Sequence, residues 1–359
     1  VTAAAKFTLL GTRAAAQWAL LSALSLAFAA ALTLAQLPAA LLLGAIAGGA
    51  LVASFDGKTR VDRRAFIFAQ MVLGALIARG MKLEILQEIA RDWPLFVAAA
   101  LSVILAACLL GWLLTRWRVF PDSTAIWGSL PGAAAAMALL AEAYGADMRL
   151  VAFMQYLRVL LVALLASLVA RFFAPGATAQ GYGLDAYWAP VNGWAFAETC
   201  ALLLACAGIC RFWRIPAGPL LLPLALGAGL QDAGLMIIEL PRPLLAASYA
   251  ILGWSIGLRF DRAILAHALR SLPAVTASVT ALLAVCAGFA WVLARYAGID
   301  PMTAYLATSP GGVDAIAIIA TSIKVDVPFI MALQTARLIL VILLGPRLAR
   351  LLADRSNPT

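Results

Sequence analysis

Histidine is almost absent from this chain: one residue, His267, in 359. Copper or iron oxygen chemistry needs several imidazole or carboxylate ligands converging on one point, so a metal site built on imidazole is not available here. Charge is scarce as well. Only 12% of residues are Asp, Glu, Lys or Arg, against 64% hydrophobic. That leaves too little polar surface to cover a water-soluble globule. The five cysteines (Cys108, Cys200, Cys206, Cys210 and Cys286) all fall inside apolar runs and form no CxxC pair, so they read as small buried hydrophobes rather than a metal or redox motif. The net charge of +9 sits in short clusters between apolar runs and not in one stripe, which argues against nucleic acid as a partner.

What is present is a succession of continuous apolar runs, each long enough to approach the ~30 Å hydrocarbon core of a bilayer. Only helices and closed barrels span lipid, and continuous rather than alternating apolarity selects helices. The expected fold is therefore an all-α polytopic membrane protein, with the lipid bilayer as its first partner. The expected spans are 8–34, 37–54, 65–81, 93–115, 147–172, 192–213, 217–235, 243–259, 272–296 and 327–352. The first is read as a retained helix, since no convincing cleavage site follows it.

Two further segments, 122–145 and 301–323, are broken near their centres by Pro131-Gly132 and Pro310-Gly311. Proline removes a backbone donor and clashes with the preceding turn, so an uninterrupted helix is not expected there. These segments belong to an internal repeat. TAIWGSLPGAAAAMALLAEAYGADMRLVAFMQYLRVLLV begins at Thr124, and TAYLATSPGGVDAIAIIATSIKVDVPFIMALQTARLILV begins 179 residues later at Thr303. The same offset pairs Asp147 with Asp326, Gln155 with Gln334 and Arg158 with Arg337. It also pairs Gly74 with Gly253, Arg91 with Arg270 and Pro94 with Pro273.

If both broken segments re-enter rather than cross, ten crossings result. Lys58/Arg60/Arg63/Arg64, Arg116/Arg118, Arg211/Arg214, Arg259/Arg262/Arg270 and Arg347/Arg350/Arg355 then share one face, as the positive-inside rule requires. Each copy then holds five crossings plus a hairpin, and the odd number inverts the second copy relative to the first. Kinked crossing helices are the structural alternative. The expected organisation is an N-terminal helix (1–34), repeat 1 (35–172), a polar linker (173–191) and a joining helix (192–216). Repeat 2 (217–352) and a short tail (353–359) follow. Tyr182, Tyr187 and Trp188 of the linker are expected at the membrane interface.

Arg158 and Arg337 lie deep in apolar helices, where a cation is costly unless paired or solvated. Two readings stand. Their guanidinium forks bind an anionic substrate, or they hydrogen-bond the carbonyl ends of the broken helices or pair with Glu142, Asp147, Asp314 or Asp326. Gln155 and Gln334 lie three residues earlier on the same faces. The broken tips contribute Ser129, Pro131 and Gly132 in the first copy, and Thr308, Ser309, Pro310, Gly311, Gly312 and Asp314 in the second. Unwound backbone there exposes N–H and C=O groups that can receive an anion or coordinate a cation. Asp147 and Asp326 read as N-caps of the helices that follow.

The strings PGAAAAMALLAEAYGADMRLVAFMQYLRV and YLATSPGGVDAIAIIATSIKVDVPFIMALQTARL resemble the two copies found in the membrane AbrB-type proteins, and the similarity extends over nearly the whole chain. That family is distinct from the small soluble DNA-binding regulators of the same name. The resemblance implies a duplicated, multi-pass protein of the bacterial inner membrane, under two inherited labels: regulator of gene expression and ammonia monooxygenase. It also implies an architecture similar to the cation-proton antiporter and anion-transporter grouping, with inverted repeats and discontinuous helices. Leu130, Ala134 and Ala315 depart from the family pattern by replacing small hydroxyl residues.

The leading reading is a secondary transporter, not an enzyme. It would move a small solute, in one version an anion, bound at the tips by Ser129, Pro131, Gly132, Gln155, Arg158, Thr308, Ser309, Pro310, Gly311, Gly312, Asp314, Gln334 and Arg337. No cofactor is required, a coupling H⁺ or Na⁺ remains open, and homodimerisation would fit an elevator motion. The alternatives are a membrane sensor acting on gene expression through a partner, and the oxygenase label, which the single His267 opposes.

Overall fold

A computed structural model describes residues 14–55, 57–79, 93–117, 120, 124–131, 141, 146–173, 191–212, 218–260, 262 and 272–356. His267, Gly132, Glu142 and most of the 173–191 linker lie outside these. The described chain is helical, with no strand. Six helices are long and apolar enough to cross a membrane: α1 (Ala14–Leu34), α4 (Trp93–Arg116), α6 (Met148–Phe173), α7 (Gly193–Phe212), α10 (Leu272–Ala297) and α13 (Val327–Ser356, through its Val327–Gly345 portion). Four shorter helices occupy other expected spans: the apolar α2 (Ala40–Ser54), α3 (Arg63–Ala78), α8 (Gly218–Asp232) and α9 (Arg242–Gly257). At 15 or 16 residues each, they reach roughly 24 Å at ~1.5 Å per residue. The remaining helices, α5 (Thr124–Ser129), α11 (Pro301–Thr308) and α12 (Val313–Thr321), form the broken segments.

Helix starts follow local chemistry. The Asp62 carboxylate accepts from Arg64 N at 2.9 Å and opens α3. Asn192 Oδ1 accepts from Trp194 N and opens α7. Asp300 accepts from Thr303 N at 2.8 Å ahead of the N1 proline of α11. The offset of 179 residues relates α1 to α7, α2 to α8, α3 to α9, α4 to α10, α5 to α11 and α6 to α13.

The chain divides into two compact units, and each draws on both copies of the repeat. The first comprises residues 1–88, 167–261 and 317–328; the second comprises 89–166, 262–316 and 329–359. In the first unit, α3 packs on α8 and α9 packs on α2, so the two contacts are counterparts, while α3 meets its own counterpart α9. Glycine makes these approaches close: a Cβ on Gly253 would stand 2.6 Å from Ala45 Cβ, and one on its equivalent Gly74 would strike the Leu220 carbonyl. Close backbone approach is how apolar helices associate where solvent supplies no hydrophobic drive. Trp254 Nε1 donates to Ser25 Oγ at 2.8 Å, and Ser25 Oγ donates to Leu21 O, so a polar pair joins α9 to α1.

In the second unit, α4 packs on α5 and on α10, and α10 packs on α11. Val103 and Ala107 of α4 form a buried cluster with Leu282 and Cys286 of α10. These are two pairs of repeat equivalents, and Leu110 and Phe289, packed against the cluster, are a third. Gly111 admits α5 onto α4: a Cβ there would lie 2.9 Å from Ile126 Cα.

Candidate functional site

The site is built where α5 and α11 stop. Both are short and buried, and each ends just before its Pro-Gly. A helix end leaves its last carbonyls without intrahelical donors, and in an apolar interior those acceptors must be met by something other than water. Here two side chains from the following long helix meet them. Gln155 Nε2 donates to Trp127 O at 3.0 Å and to Leu130 O at 2.9 Å. Arg158 Nη1 donates to Ser129 O at 3.3 Å and Leu130 O at 3.1 Å, and its Nη2 donates to Gln155 Oε1 at 2.7 Å.

The second copy repeats the arrangement atom for atom at most positions. Gln334 Nε2 donates to Leu306 O at 2.8 Å and Ser309 O at 3.1 Å. Arg337 Nη1 donates to Ser309 O, and Nη2 donates to Gly311 O and to Gln334 Oε1. Leu306 and Ser309 are the equivalents of Trp127 and Leu130. Each Gln amide thus orients its Arg while both close the helix end. All four side chains are at least 96% buried. Of the two readings of the buried arginines, the hydrogen bonds present are those to carbonyl ends; the guanidinium Nη groups are engaged within the protein.

The other residues singled out from the sequence fall as follows. Pro131 and Pro310 are buried at the two breaks, Gly311 is buried, and Gly312 and Asp314 are half-buried, with Asp314 in the first turn of α12. Thr308 Oγ1 donates back to Ala304 O at 2.9 Å and lies 3.2 Å from Cys286 O, so its hydroxyl serves the protein. Its equivalent, Ser129, behaves differently. Ser129 Oγ and Ser309 Oγ are buried and have no hydrogen-bond partner among the described residues, and the same is true of Arg158 Nε and Arg337 Nε. Asp147 caps α6 as expected, accepting from Arg149 N at 2.9 Å and Leu150 N at 3.1 Å.

The second break lies against α6. A Cβ on Gly311 would lie 2.8 Å from Val162 Cγ1, and one on Gly312 would lie 3.6 Å from Val159 Cγ1, so the second tip rests on the turn of α6 that follows Arg158. Sequence reasoning did not single out Trp127, Leu306, Val159 or Val162. The first two act through backbone carbonyls, which no side-chain pattern marks, though the 179-residue offset pairs them. Among the described residues no group of three or more His, Cys, Asp or Glu could hold a metal ion.

Residues 41–353 match the family described as "Transition state regulatory protein AbrB". The chain is 46% identical to the Escherichia coli (strain K12) protein named "Putative regulator AbrB", over 94% of this chain and 97% of that one. It is 30% identical to the Bacillus subtilis (strain 168) protein YhjN, over 81% of this chain and 79% of that one. A match over most of the chain, together with near full-length similarity to the E. coli protein, makes this chain a member of the AbrB family.

Proposed function

We propose that this protein is a secondary transporter of a small solute, with its binding site at the two Pro-Gly helix breaks. The observation that carries the reading is the pair of buried hydroxyls, Ser129 and Ser309, that have no partner among the described residues, at helix ends whose carbonyls are met by Gln155/Arg158 and Gln334/Arg337. A stably folded interior satisfies its buried polar groups, and those left over are where a ligand would find partners. Discontinuous helices facing a polar site are how transporters expose backbone within a membrane.

Re-entry of the first broken segment, rather than crossing, is supported by one hydrogen bond. Asp147 N donates to Thr124 Oγ1 at 3.1 Å. Thr124 begins the segment and Asp147 follows its end, so the two ends lie side by side, whereas a segment crossing the membrane would part them by roughly 30 Å. The self-matching cluster of Val103, Ala107, Leu282 and Cys286 supports a two-fold relation between the copies, as inverted repeats require.

On this reading the protein sits in the inner membrane as a multi-pass homodimer, binds and moves its solute without a cofactor, and is not an enzyme. The regulator named in the E. coli relative would then act on gene expression through the solute it moves or through a partner. Alternating access is the test. In a Cys-free variant reconstituted into liposomes, Ser309→Cys should react with a membrane-impermeant thiol reagent from either side in turn. Reactivity from one side alone, under every solute condition tried, would sink the transporter reading and favour a sensor.

A further inference from the structure

We infer that the site at the two breaks takes a small carboxylate and that no cation is coordinated there. This rests on the reading of the breaks as a solute site and fixes the chemical class of the solute. The argument is a count of hydrogen-bonding valences. The backbone of a helix break holds a cation through free carbonyl oxygens, each with two lone pairs. At the first break, Leu130 O accepts from both Gln155 Nε2 and Arg158 Nη1. At the second, its equivalent Ser309 O accepts from both Gln334 Nε2 and Arg337 Nη1. Trp127, Ser129, Leu306 and Gly311 each give a carbonyl to one of the same four side chains. Two of these six oxygens thus have both lone pairs taken and the other four have one taken, and the two guanidinium charges beside them oppose a sodium ion.

What remains unused is of the opposite character. Arg158 Nε and Arg337 Nε carry N–H donors, and Ser129 and Ser309 carry hydroxyls that can donate. All four residues are at least 95% buried. The described partners of both guanidinium groups are neutral, namely backbone carbonyls and one amide oxygen each. A buried positive charge met only by neutral groups favours an anion, and unfilled donors favour one rich in acceptor oxygens. A carboxylate supplies both. Because the Nη groups are already spent, it would be held through Nε–H and hydroxyl groups, not gripped by the bidentate fork.

The test uses the full-length protein in detergent, with thermal unfolding as the readout. At constant chloride, exchanging choline for sodium should leave Tm unchanged. At constant choline, replacing chloride with acetate, pyruvate, succinate or benzoate should raise Tm saturably, by at least 3 °C for one or more of them. The double variant Ser129→Ala/Ser309→Ala should keep its unliganded Tm and require at least ten-fold more of that carboxylate. Stabilisation by sodium that this variant loses would overturn the carboxylate assignment while keeping the breaks as a solute site. Stabilisation by a carboxylate that the variant keeps in full would move the site elsewhere, and the reading of the breaks would fall with it. A Tm unmoved by any of the four carboxylates would overturn the carboxylate assignment alone.

Discussion

Ala107 and Cys286 hold the same position in the two copies of the repeat and are buried in one apolar cluster, at 0% and 1% exposure. Space at such a contact is set for two small side chains. Ala107→Leu should therefore overpack the α4–α10 contact, costing about 1–3 kcal/mol. Cys286→Ala should cost less, since it removes a single sulfur from the same place. Unfolding midpoints of the two variants in one detergent would check the order.

The Gln–Arg pairs should behave as units. Removing Gln334 leaves the Leu306 and Ser309 carbonyls short of a donor and releases Arg337, and removing Arg337 releases Gln334. Each single change should destabilise by about 1–3 kcal/mol. A double-mutant cycle of Gln334→Ala and Arg337→Leu should return a coupling of about 1 kcal/mol or more. The cycle at Gln155 and Arg158 should give a similar value, because the bonds are duplicated.

Glycines on one helix type should separate into two groups. Gly111→Ala would press a methyl to 2.9 Å from Ile126 Cα, where backbone must move, so α5 should be displaced and Tm should fall. Gly288 and Gly208, also inside helices, face open space. Gly288→Ala and Gly208→Ala should be neutral or stabilising by up to about 1 kcal/mol, from the restricted backbone alone. Comparing the three variants by thermal unfolding tests the packing directly.

Topology can be read with reporters. In a Cys-free background, Arg118→Cys and Arg214→Cys should be labelled from the same, cytoplasmic side, as ten crossings with two re-entrant segments require. Labelling from opposite sides would instead match twelve crossings.

The helices were legible because long apolar runs and their capping residues act locally. The expected 93–115, 272–296 and 192–213 match α4, α10 and α7 to within two residues at either end. Proline also marks where helices stop: one ends at Ser129 ahead of Pro131, and another ends at Thr308 ahead of Pro310. Less visible was where buried donors would turn. Arg158 reaches carbonyls 28 and 29 residues earlier in the chain, and only the folded path of α5 beside α6 decides between those acceptors and a carboxylate. Thr308 and Ser129 are equivalent hydroxyl residues, yet Thr308 donates its hydroxyl proton to Ala304 O while Ser129 has no hydrogen-bond partner among the described residues. That difference arises from neighbours, not from residue type. The two compact units were likewise hidden, because a repeat marks what is duplicated and not which copies fold together.

A cluster in which Val103, Ala107 and Leu110 are gathered with their own counterparts is the contact that two identical half-length chains would make with each other. Where equivalent positions differ, as Cys286 differs from Ala107 in that cluster and Ser309 from Leu130 at the helix ends, one half of the molecule offers a chemistry that the other half does not.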